Sequence, residues 1–313
     1  MHQARLWGSV MIVSSGARPG GCGQAIARRL AGEGAKIVLV DRDPRVLLFA
    51  EELQQSESIG AVGGNVIAIV GDLAIPDTAR RAVAACIKAF GTVTCVLNVA
   101  GGSDPSVPAT FDKTSPDHYR QLFDLNFATA VNLTTAALPT IKASGGRRAV
   151  IFFSTTNGTS GWAWAGEPAL AAAKAGIEAI TGILAAELRP CGIAVNCLRL
   201  ASVPNPHSPT WRKRLEDPRV LARMRELYGE HGPLTAEQVA EEVVHILDPR
   251  SPWRTGQVIV LDPGGIGTLG TEQPRPSGDW WTPAATEHDG EPSRRWFTRT
   301  VSRLNGFFWG FFA

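Results

Sequence analysis

Glycines follow the first apolar run of the chain, where a strand would turn into a helix. The run is residues 10–13, and it continues into Ser14-Ser15-Gly16-Ala17-Arg18-Pro19-Gly20-Gly21-Cys22-Gly23. Glycines in such a turn let backbone N–H groups approach a phosphate, and the start of the next helix adds its positive dipole end. The turn therefore predicts a site for the diphosphate of a dinucleotide; the alternative is that the glycines only shape the turn.

Asp41 ends the second apolar run, residues 36–40. An acidic side chain at that place accepts hydrogen bonds from an adenosine ribose and repels a 2′-phosphate. It therefore favours NAD over NADP, while Arg42 beside it keeps NADP open as the second choice.

Short apolar runs alternate along the chain with stretches of helical periodicity. The strands and helices that these patterns predict must position the turn and Asp41. Strands that are apolar on both faces and separated by helices indicate a parallel sheet covered on both sides. Right-handed crossovers then make a doubly wound α/β fold. The predicted strands are 10–13, 36–40, 66–70, 95–99, 150–153, 193–198 and 258–261, and the predicted helices are 23–30, 44–55, 76–90, 115–143, 168–189 and 235–247.

The composition excludes several classes of protein. A net charge of +2 on 313 residues gives no field that would attract nucleic acid. The five cysteines are odd in number and form no Cys-x-x-Cys pair, which is typical of reduced thiols and indicates no metal site. Residues 1–10 lack the apolar core of a signal peptide, and no uninterrupted apolar run reaches the roughly 18 residues of a membrane span. We therefore expect a soluble, cytoplasmic protein.

The end of the chain differs in composition from the rest. Residues 266–295 are rich in Thr, Pro, Gly and charge, and residues 294–304 repeat Arg295, Arg299 and Arg303 every fourth position before an aromatic end. Such a basic amphipathic helix can pack on its own domain or a partner subunit, contact a membrane surface, or remain a disordered end. We predict a domain over residues 1–265 and an extension over 266–313, with packing against protein favoured over membrane contact.

Several motifs, in order, resemble those of the short-chain dehydrogenase/reductase family over about residues 8–265. The glycine turn resembles its Gly-x-x-x-Gly-x-Gly loop with one extra residue, residues 98–101 its Asn-Asn-Ala-Gly, and residues 255–265 its last strand. The resemblance implies a Rossmann-like fold and a nicotinamide cofactor. The cofactor contacts that it implies are Gly16, Arg18, Gly21, Cys22, Gly23, Asp41, Asp72, Leu73, Asn98, Ala100, Gly101, Lys174 and Val203.

The catalytic group that the resemblance implies is only partly present. In the family a Ser polarises the substrate oxygen, a Tyr exchanges the proton, a Lys supports that Tyr and the nicotinamide ribose, and an Asn supports a proton-relay water. Asn126 and Lys174 match this pattern. The Ser position falls on Thr155 when counted from the strand end, and nearer Asn157 when counted back from position 170. Leu170 stands where the Tyr is expected, and leucine has no proton to give.

The segment after Asn196 departs from the family pattern as well. Leu200-Ala201 stands where Pro-Gly is usual, and Asn205 replaces a Thr near the carboxamide of the cofactor. The nicotinamide half of the site is therefore altered on two sides, while the adenosine half matches.

Other residues are candidates for the missing acid. Tyr228 and His231 lie in the variable segment that covers the substrate in the family, and either could act as the acid or pack as part of the covering segment. Glu167 could have a raised pKa among the tryptophans of residues 161–166, or it could simply favour the dipole of a helix start. Tyr119 is expected to be a packing residue far from the catalytic strand ends. Lys174 could act through water if burial lowers its pKa.

Two functions fit these residues. One is an enzyme that binds NAD(H) and acts on a carbonyl or hydroxyl of an apolar small molecule, with catalytic contacts from Asn126, Thr155, Lys174 and Tyr228. Its chemistry would be redox without the Tyr, or non-redox dehydration, cyclisation or isomerisation. The other is a catalytically silent subunit that supports an active homologous partner. Family members associate through helices, so we expect a homo-oligomer or a hetero-oligomer with such a partner.

Overall fold

A computed structural model describes residues 4–104, 106–107, 110–156 and 167–263. Within them, seven parallel strands form one sheet in the order β3-β2-β1-β4-β5-β6-β7. The doubly wound parallel sheet predicted from the apolar runs is confirmed. The strands are β1 (Val10–Ser14), β2 (Lys36–Asp41), β3 (Asn65–Val70), β4 (Cys95–Asn98), β5 (Arg148–Thr155), β6 (Ile193–Leu200) and β7 (Gln257–Leu261).

Helices cover both faces of this sheet. One apolar core is shared with α1, α2, α3 and α10, and a second with α4, α6 and α7. The helices are α1 (Cys22–Gly32), α2 (Arg45–Gln54), α3 (Glu57–Ala61), α4 (Pro76–Phe90), α5 (Pro116–Phe123), α6 (Thr129–Ala143), α7 (Pro168–Leu188), α8 (Pro209–Leu215), α9 (Pro218–Tyr228) and α10 (Ala236–Leu247). The sequence pattern did not predict α3, α8 and α9. The helices α3 and α8 have only five and seven residues, whereas α9 carries Val220, Leu221, Met224 and Tyr228 at helical spacing, a signal that was missed.

The strands read as continuous apolar runs because both of their faces are buried. In β1, Met11 and Val13 belong to the first core, whereas Val10 and Ile12 belong to the second. Successive side chains of a strand point to opposite faces, so a strand between two helix layers needs apolar residues at every position. Most polar side chains of the strands consequently lie at the strand ends, where the site residues lie. Asn196, in the middle of β6, is buried and bonded to the Arg254 carbonyl and the Gln257 amide.

The strand order reverses between β1 and β4, which opens a crevice at the carboxyl ends of these strands. Ser14, the last residue of β1, joins the two sides of the reversal. Its hydroxyl accepts a hydrogen bond from the Ala100 amide at 2.8 Å and donates to the Leu97 carbonyl at 3.3 Å. This contact fixes the loop after β4 beside the glycine-rich turn after β1.

The helix predicted over residues 115–143 is interrupted. Between α5 and α6 the chain forms a wider, π-helical turn over Asp124–Ala128. The Asn126 side chain lies in this turn and donates to the Leu122 carbonyl at 3.0 Å. A turn of this kind arises from one extra residue in the helical ladder and is frequent at functional sites. It gives no periodicity signal over so few residues, which is why the pattern predicted one helix.

The helix α7, continued to Cys191, is long and apolar enough to cross a membrane by length and composition alone. A core helix of a soluble protein meets the same criterion, and Ile177, Ala185 and Leu188 of α7 are buried in the second core against the sheet. The boundary predicted between the domain and the extension, near residue 265, falls just after the last described residue and stays a prediction. Residues 264–313, which include the basic and aromatic extension, lie outside the described residues.

A half-buried ion pair attaches α7 to β6. Arg199 Nε donates to Glu178 Oε1 at 2.8 Å, and a second guanidinium nitrogen pairs with Oε2, with the two side chains 16% and 12% exposed. Two parallel bonds of this kind fix geometry as well as charge.

We expect Glu178→Gln to lower the free energy of unfolding by about 3 kcal/mol, because it leaves the Arg199 charge without its partner in a poorly solvated place. Urea unfolding measures the change. Glu52→Gln is the matched control, because its pair with Arg28 is 54% and 58% exposed and is worth less than about 1 kcal/mol. Equal losses in the two variants would contradict a structural role for the Arg199 pair.

Candidate functional site

The glycine-rich turn after β1 leaves the start of α1 open to an anion. Gly21 precedes α1 with extended backbone, and among the described residues no side chain caps it, nor does an acidic residue occupy the first turn. The first amides of a helix have no partner inside the helix. A Cβ on Gly23 would lie 2.2 Å from the Ser15 carbonyl oxygen, so the turn packs as it does only with glycine there. These residues fit a diphosphate.

Two further residues of the turn were predicted to contact a cofactor. Arg18 is exposed on the turn. Cys22 begins α1, and burial raises the pKa of its thiol to about 11, which keeps the thiol neutral. A neutral side chain at the first position of α1 places no negative charge against an approaching phosphate.

The Asp41 carboxylate holds the turn from inside. Its Oδ2 accepts the amides of Gly16 at 2.9 Å and Ala17 at 3.0 Å, and its Oδ1 accepts the Asp43 amide at 3.0 Å. An ionised carboxylate has about four acceptor positions. These three hydrogen bonds leave one acceptor position of the carboxylate for a ribose hydroxyl, so Asp41 shapes the turn and can still contact an adenosine. The two roles predicted for Asp41, shaping the turn and binding a ribose, are therefore compatible.

Asp72 and Leu73 form the next part of the crevice, after β3. Asp72 Oδ1 accepts the Ala74 amide at 2.9 Å, and the Leu73 side chain is buried in the second core. Asn132 of α6 donates to the carbonyls of Leu73 and Ala74. The segment is thus fixed in place, with the Leu73 side chain in the core and its carbonyl bonded to Asn132. The predicted contacts of Asp72 and Leu73 with a cofactor stay predictions.

Asn98 ends β4 and connects it to α6. Its amide nitrogen donates to the Thr134 hydroxyl at 3.0 Å, and within the described part of the chain its carbonyl oxygen has no hydrogen-bond partner. The side chain is 3% exposed. This placement gives Asn98 a role in holding the strand end, and its predicted contact with a cofactor stays a prediction. Ala100 is held by the Ser14 contact described above.

Gly101, Asn126 and Lys174 meet at the carboxyl end of the sheet. A Cβ on Gly101 would lie 2.4 Å from Asn126 Oδ1 and 3.1 Å from Lys174 Nζ, so no side chain fits there. Asn126 Oδ1 accepts the Gly102 amide at 2.6 Å, and its Nδ2 donates to the carbonyls of Gly102 and Leu122. Both amide hydrogens of Asn126 are therefore used by the backbone, and its side chain holds the loop after β4.

Lys174 is buried to an unusual degree for an ammonium. Its side chain is 6% exposed, and Nζ donates to the Phe153 carbonyl at 2.9 Å. Desolvation by burial lowers the pKa of Lys174 to about 8. A group of this kind exchanges protons near neutral pH, which is what acid–base catalysis requires. The structure brings Lys174 and Asn126 together beside Gly101.

Position 170 is filled by packing, not by chemistry. Leu170 is buried in a small apolar cluster with Leu122 of α5 and Ala169, and Val107 and Tyr119 pack against that cluster. The expectation that Tyr119 lies far from the site was wrong in this respect, since α5 packs on α7 and brings its ring to the Leu170 cluster. Tyr119 keeps the packing role that was predicted for it.

The end of β5 carries the candidate hydroxyls. Thr155 is its last residue, half-buried and paired in register with Leu200 of β6. Ser154 before it is buried, and its hydroxyl donates to the Lys174 carbonyl at 3.5 Å. Asn157, the other candidate for the Ser position, and the tryptophans of residues 161–166 lie outside the described residues. Glu167 precedes α7 in the left-handed region, with φ 56°, which favours glycine and is uncommon for other residues.

The structure places Tyr228 beside the segment that follows β6. It is 4% exposed and packs with Ala201 and Met224. Burial raises the pKa of its phenol, and a hydrogen bond with Ser202 offsets part of the shift. A buried phenol with a raised pKa is a poor acid at neutral pH, so this placement favours the packing reading over the catalytic one. Val203 is half-buried against the first core.

Sequence reasoning missed two residues that organise the site. Ser14 joins the turns after β1 and β4, and Asn205 contacts the glycine-rich turn from the segment after β6. The only signal for Ser14 is its place at a strand end, and Asn205 was noted only as a replacement for Thr. Among the described residues, no group of three His, Cys, Asp or Glu side chains could hold a metal ion.

Comparison with known proteins adds to this geometry. A family model described as enoyl-(acyl carrier protein) reductase matches residues 16–265. The chain is 29% identical over 261 residues to the short-chain reductase protein NovJ of Streptomyces niveus, covering 82% of this chain and 93% of that protein. It is 32% identical over 223 residues to L-fucose dehydrogenase of Oryctolagus cuniculus, covering 70% of this chain and 72% of that protein.

Solved structures share the fold. A short-chain type dehydrogenase/reductase from Mycobacterium ulcerans superposes with a TM-score of 0.74 at 23% identity, over 83% of this chain and 90% of that chain. The RhlG/NADP active-site complex of Pseudomonas aeruginosa superposes with a TM-score of 0.73 at 24% identity, over 84% of this chain and 99% of that chain.

Replacing Lys174 by Met should stabilise the protein at pH 7. Burial lowers the pKa of Lys174 from 10.5 to about 8, so between these values the unfolded chain binds more protons than the folded one. Wild-type stability therefore rises with pH across that window, and the whole cost of the buried charge is present below pH 8. We expect Lys174→Met to raise the free energy of unfolding at pH 7 by about 1–3 kcal/mol, after the lost bond to Phe153 is subtracted.

Urea unfolding of both proteins at pH 7 and pH 10 measures this change. The stabilisation of Lys174→Met relative to wild type should shrink towards zero at pH 10. All other titrating groups are present in both proteins, so their effects cancel in the difference between the two unfolding free energies. A variant that is less stable than wild type by the same amount at both pH values would contradict the burial cost.

Proposed function

Because the chain belongs to the short-chain dehydrogenase/reductase family, we propose that it binds NAD(H) and acts on the carbonyl or hydroxyl of an apolar small molecule without a phenol at position 170. One observation carries the proposal. The Lys174 ammonium, Asn126 and Gly101 meet at the carboxyl end of the sheet, beside a glycine-rich turn whose helix start is uncapped. A silent scaffold has no need of a buried ammonium that lowers its stability.

The cofactor half rests on Asp41 and the glycine-rich turn. The diphosphate would lie on the amides at the start of α1, and the fourth acceptor position of Asp41 would take a ribose hydroxyl. A 2′-phosphate would meet the Asp41 carboxylate, which favours NAD. The Pseudomonas aeruginosa protein was solved with NADP, and Arg42 is exposed beside Asp41 in this chain, so NADP is the alternative that an experiment must separate.

The proton route runs through Lys174 in this proposal. A bound nicotinamide supplies or accepts the hydride. Lys174 Nζ, which desolvation brings to a pKa of about 8, gives or takes the accompanying proton through a water, and Thr155 at the end of β5 donates a hydrogen bond to the substrate oxygen. In the non-redox variant, the same groups polarise an oxygen during dehydration, cyclisation or isomerisation. We place this activity in the cytoplasm and in a homo-oligomer or hetero-oligomer.

A silent subunit is the second candidate, and the packing of Leu170 favours it. Leu170 is 6% exposed within its apolar cluster, so the position where family members carry the acid is filled by apolar packing. A subunit of this kind would bind NADH without turnover and would restore activity to an active homologous partner.

We expect Asp41→Asn to shift the preference between NADH and NADPH at least tenfold towards NADPH, about 1.4 kcal/mol, because it removes the charge that repels the 2′-phosphate. Energy transfer from tryptophan to the reduced nicotinamide measures both dissociation constants. Asp43→Asn is the matched control, since Asp43 pairs with Arg45 outside the crevice. Unchanged preference in Asp41→Asn would contradict NAD selection by Asp41, and no binding of either nucleotide to wild type would overturn the proposed function.

We expect Leu170→Tyr to raise turnover of NADH with a panel of ketones at least tenfold over wild type, because the phenol would lie one helical turn before Lys174. Leu170→Phe is the matched control, since it adds the same ring without the hydroxyl and meets the same crowding. Wild-type turnover should fall in Lys174→Met. Identical rates for the Tyr and Phe variants would show that more than one group is missing, and wild-type NADH binding with activity only beside a homologous partner would favour the silent subunit.

A further inference from the structure

The segment after β6 is attached to the glycine-rich turn through Asn205. This side chain is 7% exposed. Its Nδ2 donates to the Pro19 carbonyl at 2.9 Å, across 186 positions of sequence, and its Oδ1 accepts the His207 amide at 2.9 Å. The Asn205 carbonyl also accepts the Ser208 amide at 2.9 Å. One side chain therefore holds its own loop in a fixed shape and binds the turn.

The outer surface of the turn fits this contact. Pro19 has no N–H and a fixed φ, and its carbonyl accepts from Asn205. Gly20 has φ +64°, and a Cβ there would lie 2.8 Å from the His207 ring. Pro19 and Gly20 thus form the surface on which Asn205 and His207 lie.

The contact borders the place where a phosphate would bind. A Cβ on Gly21, the residue before α1, would lie 3.7 Å from Asn205 Nδ2. A diphosphate at the start of α1 would therefore change the surroundings of the same amide that holds Pro19. On the side away from the turn, Asn205 belongs to the segment of residues 201–208, which leads into α8 and α9. Tyr228, at the end of α9, packs on Ala201 at the start of that segment.

We propose that Asn205 is a positioning residue that couples occupancy of the glycine-rich turn to the order of residues 201–208 on the substrate side. The proposal rests on the proposed function, because the ligand that occupies the turn is NADH. A Thr, the residue that family members have near the carboxamide, has a single short hydroxyl. It cannot donate to Pro19 and accept from His207 with the two ends of one planar group, as Asn does.

Hydrogen exchange read by mass spectrometry tests the coupling. In wild type, NADH should slow exchange of the amides in residues 16–23 and also in residues 203–208. In Asn205→Ala, NADH should slow exchange in residues 16–23 only. Without NADH, the amides of residues 203–208 should exchange at least tenfold faster in Asn205→Ala than in wild type. Asn65→Ala is the control, because Asn65 is exposed at the start of β3, on the far edge of the sheet, and should behave as wild type.

Each result decides the matter. Equal protection of residues 203–208 by NADH in wild type and Asn205→Ala overturns the coupling, as does an unchanged exchange rate without NADH. If wild type does not bind NADH, the proposed function fails, while the comparison without NADH still decides whether Asn205 holds the segment. If Asn205→Ala does not fold, Asn205→Thr is measured in its place. In that variant too, NADH should no longer slow amide exchange in residues 203–208. In turnover, the coupling predicts a rise in the KM of the ketone with a smaller change in NADH affinity. A general loss of stability would instead lower the apparent kcat, because less enzyme is folded, and would leave the KM unchanged.

Discussion

The buried ammonium of Lys174 is the constraint on which the site depends. An ammonium removed from water is unfavourable, and the Phe153 carbonyl compensates only part of that cost. The residues around it are correspondingly restricted: Gly101 has no room for a Cβ, and Asn126 is held by backbone groups on both sides of its amide. A fold that tolerates such a charge keeps a group able to exchange protons near neutral pH, at the expense of stability.

The two halves of the crevice differ in how far they follow the family pattern. On the side proposed for the cofactor, the Asp41 carboxylate and the Ser14 hydroxyl accept backbone amides and so join the turn after β1 to β2 and to the loop after β4. On the substrate side, Leu170 is packed and Tyr228 is buried against Ala201. The framework around the crevice does not depend on a hydroxyl at position 170, because other residues hold it.

The glycine-rich turn is held from two directions. Asp41 binds its amides from within the sheet, and Asn205 binds its Pro19 carbonyl from the segment after β6. A turn with an extra residue and several glycines loses much conformational freedom on folding, and contacts on both sides offset that loss. The same two contacts connect the end of β2 and the segment after β6 to one short stretch of backbone.

The sequence by itself determined the sheet, the position of most helices, and the place of Asp41 and the glycine-rich turn at strand ends. Strands buried on both faces, such as β1, must be apolar at every position, and Asp41 and the glycines must lie where those strands end. Only the tertiary structure decided that Asn126 lies in a π-helical turn, that Tyr119 packs near Leu170, and that Asn205 reaches the turn from residues far away in sequence. The reason is physical: periodicity reports which face of an element is buried, but a contact between loops depends on the path of the whole chain between them, and no local pattern records it.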